Sequence, residues 1–271
     1  MRVLIYRHES GVTNFGDELN LYLWDKLLPQ IGSVLRPDLI FLGIGTLLKA
    51  DLPPGPKLVF GAGAGYGRPP TINSTWDIRF VRGRLTAGLL KLPPEKAITD
   101  PGILVGLMRQ RSTNPRHRAS FMPRFTNVTP EIRGACKVSN IYLIDPRGAV
   151  ETVLDEIADS ELLLTEALHG AIVADALRIP WVPIRIEHGH DFKWYDWLSM
   201  LGVTYRPLPA GVLKAGWITA AQERQLSDPA VATGLLYRIL AELQTLRAEI
   251  KDRRGPFAED SMGAIPGSKM S

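Results

Sequence analysis

Short apolar runs that alternate with longer segments of helical spacing constrain the fold of this chain more than any other feature. Many of the short runs are β-branched, and the longer segments repeat apolar residues at the period of a helix. Strands that are apolar throughout and alternate with helices are typical of parallel sheets covered on both faces. The sequence therefore predicts an α/β protein. The predicted strands are 3–6, 39–42, 58–60, 79–81, 97–99, 120–122, 141–144, 162–164 and 181–186, and the predicted helices are 17–28, 85–90, 149–158, 169–177 and 229–251.

The composition excludes several classes of protein. The 271 residues are 22% charged and 45% hydrophobic, which is the balance of a globular protein. The single cysteine, Cys136, cannot form a disulfide within the chain, and the first residues lack the apolar segment of a signal peptide. We therefore expect a reduced, cytoplasmic compartment. No apolar run approaches the roughly 20 residues that span a bilayer.

A change in composition predicts the domain organisation. Residues 107–120 carry several basic side chains and no acidic one, which is typical of an exposed connection. We expect an N-terminal domain over 1–115 and a second domain over 116–227. A long bracing helix over 228–254 would begin at Asp228-Pro229, an N-cap followed by proline at the first helical position. The remainder, 255–271, has no periodicity and is predicted to be a mobile tail.

The strongest candidate for a functional site lies where the strand before residue 165 passes into a helix. Ligands of open parallel sheets bind at this end of the strands, beside helix N-termini. Glu166 and His169 occupy the turn, and Gly170 allows close approach at the helix start. A histidine there either caps and packs, or donates to an anion or shuttles a proton. Because Glu166 is placed to orient the ring, the sequence favours the functional interpretation.

A second candidate follows the first strand. Asp17 is a good N-cap residue and Gly16 permits a turn, so both are explained by helix initiation. Alternatively, Asn14 and Asp17 lie at the crevice, where they bind sugar hydroxyls or Asp17 acts as a base. The sequence leaves these two interpretations open.

A third candidate is a pair of arginines separated by one glycine. Arg82 and Arg84 stand at a predicted strand end, from which both guanidinium groups can grip a phosphate or a carboxylate. The alternative is solvation of a strand end. Arg82 is favoured because the pattern places it last before the turn.

Other segments carry weaker signals. Residues 61–67 are rich in glycine but fail the dinucleotide-binding spacing, so they are interpreted as a tight turn that lets the backbone approach a ligand. Asp100 is either a turn former or a lining residue of the crevice. Residues 193–197 mix aromatic rings with charge. They are interpreted chiefly as a packed wall, or as a sugar platform from which Lys193 reaches an anion. His188 and His190 lack a matching cluster, so no metal site is predicted.

Taken together, these segments resemble the polysaccharide pyruvyl transferase family, and within it the succinoglycan-type ketal pyruvate transferases. The likeness covers roughly residues 1–208 in one order, through 14–20, 81–86, 99–102, 121–124, 165–172 and 193–197. It implies two Rossmann-like domains of the glycosyltransferase-B type with the active site between them. It also implies transfer of pyruvate from phosphoenolpyruvate, without a separate cofactor, to a terminal sugar of a bacterial exopolysaccharide repeat unit, forming a ketal. The acceptor would be a lipid-linked oligosaccharide at the inner face of the cytoplasmic membrane.

The resemblance and the residues together assign roles. The predicted catalytic residues are His169, Glu166 and Asp17; the predicted donor-binding residues are Arg82, Arg84, Gly170, Arg185 and Lys193; the predicted acceptor-binding residues are Asn14, Gly16, Asp100 and Trp194. Two positions depart from the family pattern. Ala167 stands where many members have arginine, and Arg124 stands where related sequences have histidine, which implies altered specificity or lost activity. The alternatives are a nucleotide-sugar glycosyltransferase of the same fold and a silent relative that binds glycans or partner enzymes.

The charge distribution agrees with an anionic donor. The net charge is +4, but residues 1–135 hold 18 basic against 10 acidic side chains, so the excess lies in the first half. We interpret this excess as favouring phosphoenolpyruvate and peripheral attraction to anionic lipid, and not nucleic acid.

Overall fold

The structure is a computed structural model that describes residues 2–5, 11–29, 38–186, 191–215 and 217–252. Its strands are β1 (Arg2–Val3), β2 (Ile40–Leu42), β3 (Lys57–Phe60), β4 (Trp76–Phe80), β5 (Ser120–Met122), β6 (Tyr142–Leu143), β7 (Leu163–Thr165), β8 (Trp181–Arg185) and β9 (Leu208–Pro209). They form two parallel sheets, with the orders β1-β2-β3-β4 and β6-β5-β7-β8-β9. The predicted α/β class is confirmed.

Helices connect and cover these strands. Within the described residues they are α1 (Phe15–Leu27), α2 (Arg84–Leu89), α3 (Pro130–Val138), α4 (Val150–Ala158), α5 (Leu168–Ala176), α6 (Phe192–Leu201), α7 (Val212–Ala215), α8 (Trp217–Ala220) and α9 (Pro229–Asp252). Short 3-10 helices lie at Pro94–Lys96, Pro101–Leu107, Phe125–Asn127 and Ala221–Glu223.

The two central strands of the first sheet, β2 and β3, are buried on both faces, which explains why they are largely apolar. Phe41 and Phe60 point to one face, where both rings meet the edge of Trp24 on α1 at centroid distances of 5.1 and 5.5 Å. Leu42 and Val59 point to the opposite face and pack in a second cluster. Alternate residues of one strand thus serve two cores, as expected for a parallel sheet between layers.

One hydrophobic core extends across both sheets. It joins residues of the first sheet to residues of the second, such as Phe60 and Leu163. Helix α1 packs against α4 and α5, and the 3-10 helix Pro101–Leu107 also packs against α5. The N-terminal part of the chain therefore meets the second sheet mainly through the face of α5.

The long helix predicted near the C-terminus is present as α9. Asp228 Oδ1 accepts hydrogen bonds from the amides of Ala230 and Val231, as an N-cap does. Val231 in the first turn is 37% exposed, whereas the apolar residues that follow at helical spacing are buried. Glu249 pairs with Arg79 of β4, so α9 is tied to the first sheet. The predicted tail, 255–271, lies outside the described residues.

Several elements differ from the sequence prediction. Residues 97–99 form no strand; Ala97 makes only an isolated parallel bridge to Val81. The chain turns there because Pro101 follows and Asp100 Oδ1 accepts from the Gly102 amide, which starts a 3-10 helix. Helices α3, α6, α7 and α8 and strand β9 were not predicted.

The part of the chain that the structure describes contains neither a membrane-spanning helix nor a group of side chains arranged to bind a metal ion. None of its helices is both long enough and apolar enough to cross a membrane. No group of three or more histidine, cysteine or acidic side chains there is arranged to hold a metal ion. His188 and His190 lie outside the described residues. Burial raises the pKa of the Cys136 thiol to about 11, which suits a packing role and not a nucleophile.

Candidate functional site

A cavity of about 440 Å³ lies where the carboxyl ends of strands from both sheets come together. This volume falls within the roughly 300–1,000 Å³ typical of small-molecule sites. Its walls are the N-termini of α1 and α5, the start of α6, and the loops after β2, β3 and β5. The lining residues are Asn14, Gly16, Asp17, Gly45, Thr46, Lys49, Tyr66, Met122, Arg124, Phe125, Thr126, Ala167, Leu168, His169 and Lys193.

The start of α1 supplies one carboxylate to the cavity. Asn14 is the N-cap, and its carbonyl accepts from the amides of Asp17 and Glu18 at 3.0 Å. The interpretation of Asp17 as N-cap is therefore wrong, since Asp17 lies within the first turn. Its Oδ2 accepts from Asn14 Nδ2 at 2.6 Å. Burial raises the pKa of Asp17, although this hydrogen bond and the charges of His169 and Lys193 oppose the shift.

The His169 ring packs directly on Gly16. A Cβ atom added to Gly16 would lie 2.0 Å from His169 Nδ1, so a side chain at this position would displace the ring. His169 lines the cavity; its Nε2 is buried and lies 3.6 Å from Asp100 Oδ2, whereas Nδ1 is the ring atom nearest to Gly16. Gly16 is thus explained by the close approach of the histidine, and not by turn geometry alone.

Glu166 does not take the role that the sequence predicts. Its carboxylate accepts from Asn127 Nδ2 at 2.9 and 3.0 Å and from the Arg124 amide at 3.0 Å. These bonds fix the loop after β5, which forms one wall of the cavity. The carboxylate beside the His169 ring belongs to Asp100 instead. Asn127 carries no sequence signal that would have identified it.

Asp100 also differs from its prediction as an acceptor-binding residue. Its side chain is 0% exposed and its Oδ1 accepts from the Gly102 amide at 2.9 Å. It lies behind His169, away from the cavity, so no sugar can contact it without displacing the ring.

Arg82 is buried and fully engaged within the protein. Its Nε donates to Asp196 Oδ2 at 2.9 Å, and its two terminal nitrogens donate to Thr46 Oγ1 and to the Ala64 carbonyl at 3.0 and 3.1 Å. The Asp196 carboxylate also accepts from the amide and hydroxyl of Thr86. With 0% of its side chain exposed, Arg82 is not placed to grip a donor as the sequence predicts; in this structure it joins α6 to the cavity wall.

The glycine-rich segment 61–67 is explained by the same packing. A Cβ atom on Gly63 would lie 2.2 Å from Arg82 Cζ, and one on Gly61 would lie 2.2 Å from Pro101 Cγ. These glycines make room for neighbouring side chains of the same chain. They were predicted to let the backbone approach a ligand.

Three further donor-binding predictions lie outside the cavity wall. Arg84 begins α2 and is exposed to solvent. Arg185 pairs with Asp191 at 2.6 Å and stands over the Tyr205 ring. Gly170 provides space for Thr165 Oγ1, which a Cβ atom would approach to 2.6 Å, so its role is to pack α5 against the end of β7.

Trp194 belongs to a buried aromatic cluster. It is 3% exposed and stacks on Tyr205 at a centroid distance of 5.3 Å. Trp181 and Trp197 complete the cluster. The packed-wall interpretation of residues 193–197 is therefore correct for Trp194, and its prediction as an acceptor platform is corrected.

Cationic side chains surround the cavity. Lys193, predicted to bind the donor, lines it from the start of α6, and its Nζ makes no hydrogen bond or ion pair with any residue that the structure describes. Burial and the neighbouring charges of Arg124 and Arg82 lower the pKa of Lys193 to about 8. Arg124 and Lys49 line the cavity as well. Sequence reasoning noted Arg124 only as a departure from the family pattern and missed Lys49.

Backbone groups add to this positive potential. Helices α1 and α5 both direct their N-termini at the cavity, and such termini carry unpaired N–H groups and a partial positive charge. Anions bind readily at such termini. Asp17 is the one carboxylate among the described lining residues. The site therefore suits a small anion held beside a histidine and a buried carboxyl group.

Comparison with known proteins shows the family of the chain. Residues 110–188, which include the loop after β5 and the N-terminus of α5, match the polysaccharide pyruvyl transferase family. The succinoglycan biosynthesis protein ExoV of Rhizobium meliloti (strain 1021) is 43% identical over 209 residues, which cover 74% of this chain and 66% of that protein. The match thus spans slightly less than two thirds of the relative. The chain belongs to the polysaccharide pyruvyl transferase family.

Proposed function

We propose that this protein is a transferase that moves pyruvate from phosphoenolpyruvate to a terminal sugar of a bacterial exopolysaccharide repeat unit, forming a pyruvate ketal. The observation that carries the proposal is a single cavity where His169 and Asp17 meet Lys193 and the N-terminus of α5. Family membership and the relative named for succinoglycan biosynthesis support it. We further propose that the two sheets are the Rossmann-like domains of a glycosyltransferase-B arrangement, divided near residue 115.

The donor would be held by its two anionic groups. Phosphoenolpyruvate carries a carboxylate and a phosphate, and charge-assisted hydrogen bonds to such groups are about twice as strong as neutral ones. Lys193 has no competing partner among the described residues, and Arg124 and Lys49 stand on the same cavity wall. The N-terminus of α5 is suited to the phosphate. We assign these four groups to donor binding, in place of Arg82 and Arg84.

The chemistry requires two proton transfers that balance. One sugar hydroxyl adds to C2 of the donor as the methylene carbon takes up a proton, and a second hydroxyl displaces phosphate from C2. Two hydroxyl protons are released: one matches the proton that the methylene carbon takes up to become a methyl group, and the other leaves with phosphate. His169 lines the cavity, and its Nδ1 is suited to deliver the proton to carbon. Asp17, whose pKa is raised by burial, is suited to accept a hydroxyl proton.

The acceptor side has fewer constraints. Asn14 lines the cavity beside Asp17 and can bind a sugar hydroxyl. We propose a lipid-linked oligosaccharide as acceptor, met at the inner face of the cytoplasmic membrane by peripheral contact. The basic excess in residues 1–135 favours anionic lipid. Phosphoenolpyruvate serves as a donor substrate, and the proposed steps assign no role to a separate cofactor.

The experiment that tests this function measures phosphate release from phosphoenolpyruvate with and without lipid-linked oligosaccharides extracted from a producing bacterium. We expect release that depends on the acceptor and a new methyl signal of the ketal in the product. Turnover of a nucleotide sugar instead would identify a glycosyltransferase. Binding of the acceptor without turnover of either donor would identify a silent relative.

Removal of the Lys193 charge should weaken donor binding. We expect Lys193→Met to raise the KM for phosphoenolpyruvate about 10- to 100-fold, because a hydrogen bond to a charged group contributes about 1.5–3 kcal/mol. The matched control is Lys26→Met. Lys26 lies at the end of α1 away from the cavity and forms an exposed ion pair with Glu151. An unchanged KM in Lys193→Met would remove this residue from the donor site.

The same lysine predicts a pH dependence. Because the pKa of Lys193 is lowered to about 8, the cationic form dominates below pH 8 and is lost as the pH rises through 8. We expect kcat/KM for the donor to fall above pH 8 in the wild type. The Lys193→Met variant should lack this fall, and the two profiles should be compared in one buffer series.

A further inference from the structure

We infer that Asp100 is a positioning residue that holds the His169 ring with a proton on Nε2, so that Nδ1 faces the cavity and is free to exchange a proton there. This inference deepens the proposed function and rests on it for its kinetic consequence. Its structural part, the state of the histidine ring, stands on geometry alone.

The Asp100 carboxylate is fixed in place. It caps the 3-10 helix Pro101–Leu107, and its Oδ1 accepts from the Gly102 amide at 2.9 Å. That 3-10 helix packs on α5, the helix that carries His169. With one oxygen held and the side chain 0% exposed, the other oxygen points at the ring.

Two buried atoms face each other across this contact. Asp100 Oδ2 and His169 Nε2 lie 3.6 Å apart, and neither has a hydrogen-bond partner among the described residues. A buried polar atom without a partner is costly, and a separation of 3.6 Å exceeds that of a formed hydrogen bond. Each atom is therefore the natural partner of the other, after a ring shift of a few tenths of an ångström. Since a carboxylate oxygen only accepts, the proton must sit on Nε2.

The other side of the His169 ring lies against the start of α1. Gly16 has no side chain, so the Nδ1 edge of the ring lies against the start of α1, at the wall of the cavity that both residues line. Asp17 and Lys193 line the same cavity, so a proton leaving Nδ1 enters the region that we assign to substrate. A carboxylate behind a histidine selects the tautomer and stabilises the ring when it is doubly protonated.

The test is Asp100→Asn, which keeps an oxygen for the Gly102 amide and places an N–H group against Nε2. We expect the ring proton to move to Nδ1. Two-bond ¹H–¹⁵N spectra report the tautomer directly, with the His169 signals assigned by their loss in His169→Asn. Turnover of phosphoenolpyruvate should fall by roughly 10²- to 10⁴-fold, as when a histidine base is held in the wrong tautomer.

The matched control is Thr99→Val. Thr99 is the preceding residue, is equally buried, and its hydroxyl has no hydrogen-bond partner in the described part of the chain. We expect this variant to keep both the wild-type tautomer and turnover. A comparable loss in Thr99→Val would show that any change in this segment disturbs the site.

The outcomes separate this inference from the proposed function. An Nε2 without a proton in the wild-type spectrum overturns the inference, even if Asp100→Asn fails to fold. An unchanged tautomer in Asp100→Asn overturns it as well. If the wild type does not turn over phosphoenolpyruvate, the proposed function fails, while the spectra still decide whether Asp100 positions the ring.

Discussion

Replacement of His169 by asparagine is expected to lower kcat for pyruvyl transfer by about 10²- to 10⁴-fold, the range that a positioned acid or base contributes. Asparagine keeps a polar atom near the position of Nδ1, but it cannot exchange a proton near neutral pH. Because the lysine and arginine on the cavity wall remain in place, the KM for phosphoenolpyruvate should change much less than kcat. Steady-state phosphate release with the acceptor present measures both constants.

A second histidine provides the control for this experiment. His117 stacks on Tyr142 at a centroid distance of 3.8 Å and does not line the cavity. We expect His117→Asn to keep wild-type kcat. If His169→Asn retains kcat and raises only KM, the histidine binds the donor and another group protonates it. Equal activity of both variants would exclude His169 from the chemistry.

The sequence predicted the parts of this site that depend on local order. The strand that ends near Thr165 and the helix that follows are visible as a change of period from apolar run to helical spacing. The turn between them therefore predicts that His169 lies at a helix N-terminus and at the carboxyl edge of a parallel sheet, which the structure confirms. Residues 120–122 were likewise predicted as a strand with the bounds that β5 has.

Pairing between distant residues could not be predicted in this way. Glu166 is the predicted partner of His169 because it is near in sequence, yet Asp100, which caps the 3-10 helix Pro101–Leu107, lies beside the ring. Local spacing carries no information on which side chain a separate segment brings into contact. The helix α6 was missed because its apolar residues are large aromatics that cover several faces. An amphipathic period is weak in such a segment.

The partner of Arg82 is also distant in sequence and could not be predicted. Replacement of Arg82 has the largest expected effect on stability. Its place at a strand end predicted a ligand clamp, but its partner Asp196 lies on α6, more than a hundred residues later. Both side chains are 0% exposed. The loss of one partner of such a pair leaves a buried charge uncompensated.

We expect Arg82→Met to lower the free energy of unfolding by about 3–5 kcal/mol. Among the described residues, the amide and hydroxyl of Thr86 would then be the remaining hydrogen-bond donors to the Asp196 carboxylate. The double variant Arg82→Met/Asp196→Asn should recover a large part of this loss, since it removes the uncompensated charge as well. Urea unfolding followed by tryptophan fluorescence measures all three free energies, because Trp194 and Trp197 lie on the same helix as Asp196.

Arg84→Met is the matched control, since Arg84 lies two residues away and is exposed. Its free energy of unfolding should stay within about 0.5 kcal/mol of the wild type. The double variant also decides between the two roles of Arg82. A structural arginine predicts that the folded double variant binds phosphoenolpyruvate with a KM near that of the wild type. A donor clamp predicts a folded protein with a KM raised at least tenfold, and that result would return Arg82 to the binding site.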